Sequence, residues 1–160
     1  MVIVFIGPPG SGKGTQAQIL KDTKLPNLHI LTVSSLLKDK SNDGSLLGDE
    51  IKNKMDNGDL IEDTVVISVL KEKVESLKDE QILIDGFPRS STQALALKDI
   101  FYDNAINVIN FTVSDDELLQ RIKKDPKKSL ELMIVFLKKD LVFISNLIQK
   151  LLIHYLSSMR

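Results

Sequence analysis

A glycine-rich segment directly after the first apolar run has the composition of a phosphate cradle. Residues 7–15 read Gly-Pro-Pro-Gly-Ser-Gly-Lys-Gly-Thr and follow the apolar residues 2–6, so the pattern G-x-x-x-x-G-K-[ST] stands between a predicted strand and a predicted helix. Glycines let several backbone N–H groups point at one phosphate, and the helix adds the positive end of its dipole. Lys13 would reach the outer phosphates, and the Thr15 hydroxyl would bind Mg²⁺. The alternative is an accidental glycine-rich turn, which the flanking strand and helix disfavour.

A carboxylate and a guanidinium follow a second short apolar strand. Residues 81–84 open into residues 85–89, which read Asp-Gly-Phe-Pro-Arg. Asp85, at the end of a buried strand beside the glycine-rich loop, can hold Mg²⁺ through water, although a strand-end cap is its alternative role. Arg89 could bridge two phosphate groups, with a surface salt bridge as its alternative. These residue types suit a site that holds phosphate groups together with Mg²⁺.

Strands alternate with helices along most of the chain. The predicted strands are residues 2–6, an extended stretch from His29 to Val33, a strand from Gln81 to Ile84 and a strand from Val108 to Val113. The predicted helices run from Lys13 to Lys24, from Ser34 to Lys40, from Leu46 to Asp56, from Val65 to Leu77, from the end of the 85–89 segment to about Phe101, and from Asp115 to Lys124. Asp63 or Thr64 is the predicted cap of the helix that begins at Val65. This alternation predicts a three-layer α/β fold, in which helices cover both faces of a parallel sheet of about four strands.

Composition limits the partners and the compartment. The 160 residues carry 21 Lys and Arg against 22 Asp and Glu, so no net field favours nucleic acid or an anionic membrane. Cysteine is absent, which excludes disulfides and thiolate chemistry. The chain opens on a strand rather than on a targeting signal. We therefore expect a cytoplasmic domain that binds neither nucleic acid nor membrane.

Residues 125–160 differ in character from residues 1–124. Residues 129–158 contain no Gly or Pro, and 18 of these 30 are apolar. The longest uncharged run has nine residues, against the roughly 20 that a transmembrane helix needs. We predict an atypical apolar helical tail that packs on the sheet or on a second copy of the chain, so self-association is expected.

Residues 1–124 resemble the adenylate kinase family of nucleoside monophosphate kinases. Residues 7–17, which extend the glycine-rich loop by Gln-Ala, look like its first signature. Residues 83–89, Leu-Ile-Asp-Gly-Phe-Pro-Arg, with Gln-Ala at 93–94 resemble its second, and residues 55–61 resemble its acceptor-binding loop with the preceding helix. Arg121 stands where the family keeps a phosphate-binding arginine. The resemblance implies a P-loop phosphotransferase that uses ATP and Mg²⁺ and takes AMP as its favoured acceptor, giving two ADP.

The resemblance also implies roles for individual residues. Residues about 30–60 would form the acceptor-binding helices, and the Gln93 amide suits bidentate pairing with an adenine edge. The implied catalytic residues are Lys13, Arg89 and Arg121. The residues implied to bind ATP are Gly10, Ser11, Gly12, Lys13, Gly14, Thr15 and Arg121, and those implied to hold Mg²⁺ are Thr15 and, through water, Asp85. The residues implied to bind the acceptor are Thr32, Val33, Lys38, Asp59, Leu60, Ile61, Gly86, Phe87, Pro88, Arg89 and Gln93.

The sequence departs from the family pattern in two places. At residues 32–38 the family usually has Ser-Thr-Gly-Asp-Leu-Leu-Arg, whereas this chain has Thr-Val-Ser-Ser-Leu-Leu-Lys. Lys38 keeps the charge of the arginine but loses its planar fork. After Lys124 the family's lid, its further arginines and its fifth strand are not recognisable. The phosphate-binding cage predicted from the sequence is therefore short of arginines.

Three origins of residues 125–160 stay open: a frameshift product, a natural truncation and a functional helix. Shifted by one base, the codons of this segment permit the pattern Arg-x₅-Arg-x-Asp-Asp, which resembles a short lid, and the nucleotide sequence would test this hypothesis. Two other functions also stay open. One is a UMP/CMP kinase, and the other is a nucleotide-binding relic that has kept the glycine-rich loop and lost phosphoryl transfer.

Overall fold

A parallel sheet with alternating helices makes up the described part of the chain. The computed structural model describes residues 1–77, 80–102 and 105–124, and no helix within them is long and apolar enough to cross a membrane. The predicted tail, residues 125–160, lies outside the described residues. In chain order the elements are β1 (Val2–Ile6), α1 (Lys13–Thr23), β2 (Leu28–Thr32), α2 (Val33–Lys40), α3 (Leu46–Asn57), α4 (Asp63–Ser76), β3 (Gln81–Asp85), α5 (Ser91–Phe101), β4 (Ile106–Asn110) and α6 (Asp115–Lys124).

The strand order β2-β3-β1-β4 places β1 in the interior of the sheet. All neighbouring strands run parallel, and Asp85 at the end of β3 lies opposite both Phe5 of β1 and Thr32 of β2. On the other side of β1, Ile6 lies opposite Asn110 of β4. Because parallel strands end at the same edge, the glycine-rich loop after Ile6 emerges between the ends of β3 and β4. This edge gathers the loops that carry the predicted site.

Apolar side chains on both faces of β1 hold helices against the sheet. Val4 and Ile6 belong to a buried cluster with side chains of α2, α3, α4 and α5. Ile3 and Phe5, on the opposite face, pack with Ala17 of α1. Such two-sided burial is typical of the central strand of a parallel sheet. The predicted α/β fold, with helices on both faces of four strands, is confirmed.

The structure corrects the position of the fourth strand. β4 covers Ile106–Asn110 rather than Val108 to Val113. Its partner β1 ends at Ile6, where the chain turns into the glycine-rich loop, and Phe111 N donates to Ile6 O at 2.8 Å just beyond the paired residues. The residues after Asn110, which were predicted to continue the strand, therefore lie beyond the end of β1 and cannot pair with it.

The start of α4 also differs from the prediction. Its N-cap is Glu62, whereas Asp63 or Thr64 was predicted as the cap. Asp63 is already helical, and its carboxylate bonds side chains at the start of α5 instead of the backbone of its own helix. The carboxylate thus makes a long-range connection in place of a local cap.

Candidate active site

Three glycines give the loop between β1 and α1 its shape. Gly7, Gly10 and Gly12 have φ values of +145°, +78° and +100°, in a region that residues with a Cβ rarely adopt. Gly12 is the N-cap of α1, and no side chain caps this helix. The N–H groups of its first turn are therefore left for a ligand, and the helix dipole makes that ligand an anion.

Lys13 is held against the loop by two carbonyl groups. Its Nζ donates to Gly7 O at 2.9 Å and to Pro8 O at 3.0 Å. Burial lowers the pKa of Lys13, the Asp85 carboxylate raises it, and the Arg89 guanidinium lowers it. The amine thus lies in the field of both charged groups that the sequence predicts for the site. It is partly desolvated and already oriented, as electrostatic stabilisation of a phosphate requires.

Asp85 ends β3 with a carboxylate oxygen left for a ligand. Its Oδ1 is buried and has no hydrogen-bond partner among the residues that the structure describes, and its Oδ2 lies 3.8 Å from the place of a Cβ on Gly14. A buried polar atom without a partner is costly, and a hydrated Mg²⁺ would satisfy it. Asp85, with Thr15 in the adjacent first turn of α1, therefore fits the cation that the resemblance implies.

The ligand set around Asp85 is small. Within residues 1–77, 80–102 and 105–124, no three His, Cys, Asp or Glu side chains lie close enough to hold a metal ion. This suits Mg²⁺, which proteins hold by one or two carboxylates together with substrate phosphates and water.

Arg121 reaches the glycine-rich loop from α6. Its Nη1 donates to Gly10 O at 3.3 Å and to Ser11 O at 3.2 Å. Its Nε donates at 2.8 Å to Glu117, one helical turn earlier, which orients the guanidinium. The Ser11 hydroxyl is buried and has no partner in the described part of the chain. The structure thus brings together the residues predicted to bind ATP, Gly10 to Thr15 and Arg121.

Thr32, Val33 and Lys38, which were predicted to bind the acceptor, lie in three different environments. Thr32 lies opposite Asp85 across the sheet. Val33 is 7% exposed and packs in the core with Leu37, so only its backbone is left to line a site. Lys38 is exposed on α2. Of these three residues, Thr32 is the one that the strand register pairs with Asp85.

The loops after α3 and β3 hold the remaining predicted acceptor residues except Gln93, which lies in α5. The segment from Asp59 to Ile61 follows α3, which ends at Gly58 with φ +72°. Leu60 is 90% exposed and Phe87 is 1% exposed, and the Phe87-Pro88 peptide is cis. A Cβ added at Gly86 would come within 2.9 Å of Arg89 Nη2. Gly86 therefore leaves room for the guanidinium to fold back over the turn.

A hydrogen-bond network fixes the backbone beside that guanidinium. Arg89 Nε donates to Gly86 O at 2.8 Å, and Arg89 N donates to Gln93 Oε1 at 2.7 Å. Gln93, which is 5% exposed, donates from Nε2 to Asp63 Oδ1 at 2.6 Å. The other Asp63 oxygen accepts from the Ser90 hydroxyl, and this hydroxyl accepts from Gln93 N at 3.1 Å, which caps α5. Arg89 is exposed, so a fixed backbone carries a solvent-accessible side chain.

Asp63 and Ser90 were not among the predicted site residues. Ser90 could have been found, because Ser-x-x-Gln before a helix is the signature of a capping box. Here Gln93 reaches the N–H of Arg89, one residue before the cap. Asp63 lies 30 residues before Gln93, and no local pattern links the two.

Alanine at Gly7 should destabilise the fold. An added Cβ would lie 2.6 Å from Phe111 O, which is backbone, and φ is +145°. Strain and overpacking together should cost about 2–4 kcal/mol of unfolding free energy. Urea denaturation would measure this loss. The control is Gly44→Ala, which has φ +75° but nothing within 4 Å and should cost about 1 kcal/mol; equal losses for the two variants would contradict the contact argument.

Similarity to known proteins covers most of the chain. The family model for adenylate kinase matches residues 5–154. The adenylate kinase of Leptospira biflexa is 38% identical over 124 residues, which are 75% of this chain and 66% of the relative. The adenylate kinases of Borrelia turicatae and Methanococcoides burtonii are each 42% identical over 76% of this chain and over 57% and 58% of their own lengths. The chain thus spans less than two thirds of the length of these relatives.

Proposed function

The chain belongs to the adenylate kinase family, and we propose that it transfers the γ-phosphoryl group of MgATP to AMP, giving two ADP. The observation that carries this proposal is the position of Lys13, which rests on the carbonyls of the loop in the field of both Asp85 and Arg89. A phosphate cradle, a cation ligand and a second phosphate-binding group then meet at one edge of the sheet. Phosphoryl transfer between two nucleotides needs this combination.

The glycine-rich loop would bind the donor phosphates. Backbone N–H groups at the start of α1 would donate to phosphate oxygens, and Lys13 would exchange its two carbonyl partners for the outer phosphates. Thr15 and Asp85 would hold Mg²⁺, which supplies positive charge that neutralises the β- and γ-phosphates. Arg121, already on the carbonyls of the loop, would offset negative charge at its outer side.

The acceptor would bind on the β2 side of the same edge. Arg89 would hold phosphate oxygens of donor and acceptor through its planar fork. Thr32, the Val33 backbone and the segment from Asp59 to Ile61 would line the acceptor pocket, and Lys38 would add positive charge without a fork. Gly86, Phe87 and Pro88 would form its floor, and the Gln93 amide would pair with the base.

A coupled assay of the full chain with MgATP tests this function. ADP should form when AMP is the acceptor. A preference for CMP or UMP would identify a UMP/CMP kinase instead. ATP binding without transfer to any of the three would identify a relic that has kept the donor cradle. We expect the reaction to take place in the cytoplasm, and self-association through residues 125–160 stays a prediction.

The charge on Lys13 should set an alkaline limit to ATP binding. Burial lowers the pKa of Lys13, so the amine should lose its proton, and ATP its partner, at a lower pH than an exposed lysine would. Titration of the Lys13 ¹³Cε signal without nucleotide measures this directly. Asp85→Asn removes the carboxylate charge that raises the pKa of Lys13, so the titration midpoint of Lys13 should be lower in this variant than in the wild type. A Lys13 midpoint at the ordinary value of a lysine side chain would contradict the prediction.

A further inference from the structure

A half-buried carboxylate ties together the two helices on the acceptor side of the site. Asp63 begins α4, two residues after the acceptor segment that ends at Ile61. Its oxygens accept from Gln93 Nε2 at 2.6 Å and from the Ser90 hydroxyl. Both donors stand at the start of α5, directly after Arg89. The carboxylate therefore joins the segment predicted to line the acceptor to the residues predicted to hold its phosphate and its base.

Only one orientation of the Gln93 amide satisfies its neighbours. Arg89 N–H needs an acceptor and has Oε1 at 2.7 Å, whereas the Asp63 carboxylate needs a donor and has Nε2 at 2.6 Å. Turning the amide by 180° would set its NH₂ against the Arg89 N–H and its oxygen against the carboxylate, and both contacts would become repulsive. Among the residues that the structure describes, each end of the amide has one hydrogen-bonding site without a partner: a lone pair on the oxygen and an N–H on the nitrogen.

We propose that Asp63 is a positioning residue that determines which base the acceptor site prefers, by fixing the Gln93 amide. This inference rests on the proposed function, in which the acceptor base meets Gln93. A fixed amide offers its acceptor and its donor in a set order, and adenine offers an amine beside a ring nitrogen in the complementary order. Guanine carries a carbonyl oxygen where adenine carries the amine, so it would set two oxygens against each other. The fixed amide therefore selects AMP over GMP.

Asp63→Asn in the full chain tests the fixing of the amide. The introduced amide can face Gln93 with its oxygen or with its NH₂ group, because the Ser90 hydroxyl can accept a hydrogen bond as well as donate one. When the NH₂ group faces Gln93 Nε2, two donors meet, so the Gln93 amide is no longer held in one orientation. The KM for AMP should rise about tenfold, and the preference for AMP over GMP should fall about tenfold, as expected for the loss of a hydrogen bond to a charged group. The KM for ATP should change less than twofold. Glu75→Gln, which removes an exposed charge near the end of the same helix, is the matched control and should change none of these values.

A double variant distinguishes a loss of amide orientation from a loss of stability. In Asp63→Asn combined with Gln93→Glu, the introduced asparagine can accept from Ser90 and donate to the introduced glutamate, which also accepts from Arg89 N. All three hydrogen bonds are restored, and only the bond between residues 63 and 93 has its donor and acceptor exchanged, so thermal stability should return to the wild-type value. The preference for AMP should stay low, because a carboxylate offers the base no N–H.

Two results would overturn the role of Asp63. One is an unchanged AMP preference and KM in Asp63→Asn, and the other is full recovery of the preference in the double variant. A wild-type chain that transfers phosphate to no monophosphate contradicts the proposed function alone. In that case equilibrium binding of AMP and GMP to the same variants tests the role of Asp63, and the ratio of the two affinities should fall about tenfold in Asp63→Asn. A wild-type chain that binds neither nucleotide overturns both proposals.

Discussion

Lys13→Met should lower kcat/KM for ATP by about 10²- to 10³-fold, the loss typical of removing one preorganised donor from a developing charge. Methionine keeps a long unbranched side chain and removes the ammonium group. In the free protein this group already sits 2.9 Å from Gly7 O and 3.0 Å from Pro8 O. The wild-type amine therefore needs little rearrangement to reach a phosphate, and the variant has nothing to replace it.

The same substitution should leave the fold as stable as the wild type or more stable. Burial lowers the pKa of Lys13, which means that the folded protein holds this charge at a cost. Removing the charge removes that cost, so thermal melting separates a lost ligand from a damaged fold. Lys24→Met, at an exposed position just after α1, is the control for both measurements. An ATP affinity for Lys13→Met within threefold of the wild type would contradict the role of Lys13.

Local patterns were enough to predict the strand and the helix on either side of the glycine-rich loop. The apolar residues 2–6, the glycines and the start of α1 at Lys13 follow one another in sequence, and their conformations depend on near neighbours. The pairing of parallel strands then brings Asp85 to the same edge. β4 was misplaced because its end depends on where β1 stops, which the apolarity of Phe111 does not reveal.

The acceptor side depends on contacts that no local pattern encodes. Val33 was predicted to line the site from its position in a motif, yet its side chain is buried because it begins α2 four residues before Leu37 and shares its core face. Gln93 was predicted as a base-binding amide without any neighbour to orient it. Its orientation comes from Asp63, 30 residues earlier, through the packing of α4 on α5. Such a link requires the tertiary fold.

Arg89→Lys should lower kcat by about 10²-fold or more while ATP affinity changes less than threefold. Lysine keeps the positive charge, so the fall in kcat measures what the geometry of the guanidinium contributes. Arg89 Nε donates to Gly86 O at 2.8 Å, which leaves the two terminal NH₂ groups of the planar fork for phosphate oxygens. A lysine ammonium holds its three donors at one point and cannot bond Gly86 O and two separated phosphate oxygens in that plane.

The stability of Arg89→Lys should match the wild type, because the bond from the backbone N–H of residue 89 to Gln93 does not involve the side chain. Lys98→Gln removes an exposed charge from α5, the helix that follows Arg89, and should leave kcat unchanged, which controls for the general effect of positive charge on that helix. Arg121→Lys offers the opposite comparison. Because the Arg121 guanidinium contacts the carbonyls of the glycine-rich loop, replacing this guanidinium should weaken ATP binding. An equal fall in ATP affinity in the Arg89 and Arg121 variants would mean that both guanidinium groups serve the donor, and Arg89 would then lose its assignment as the bridge between the two nucleotides.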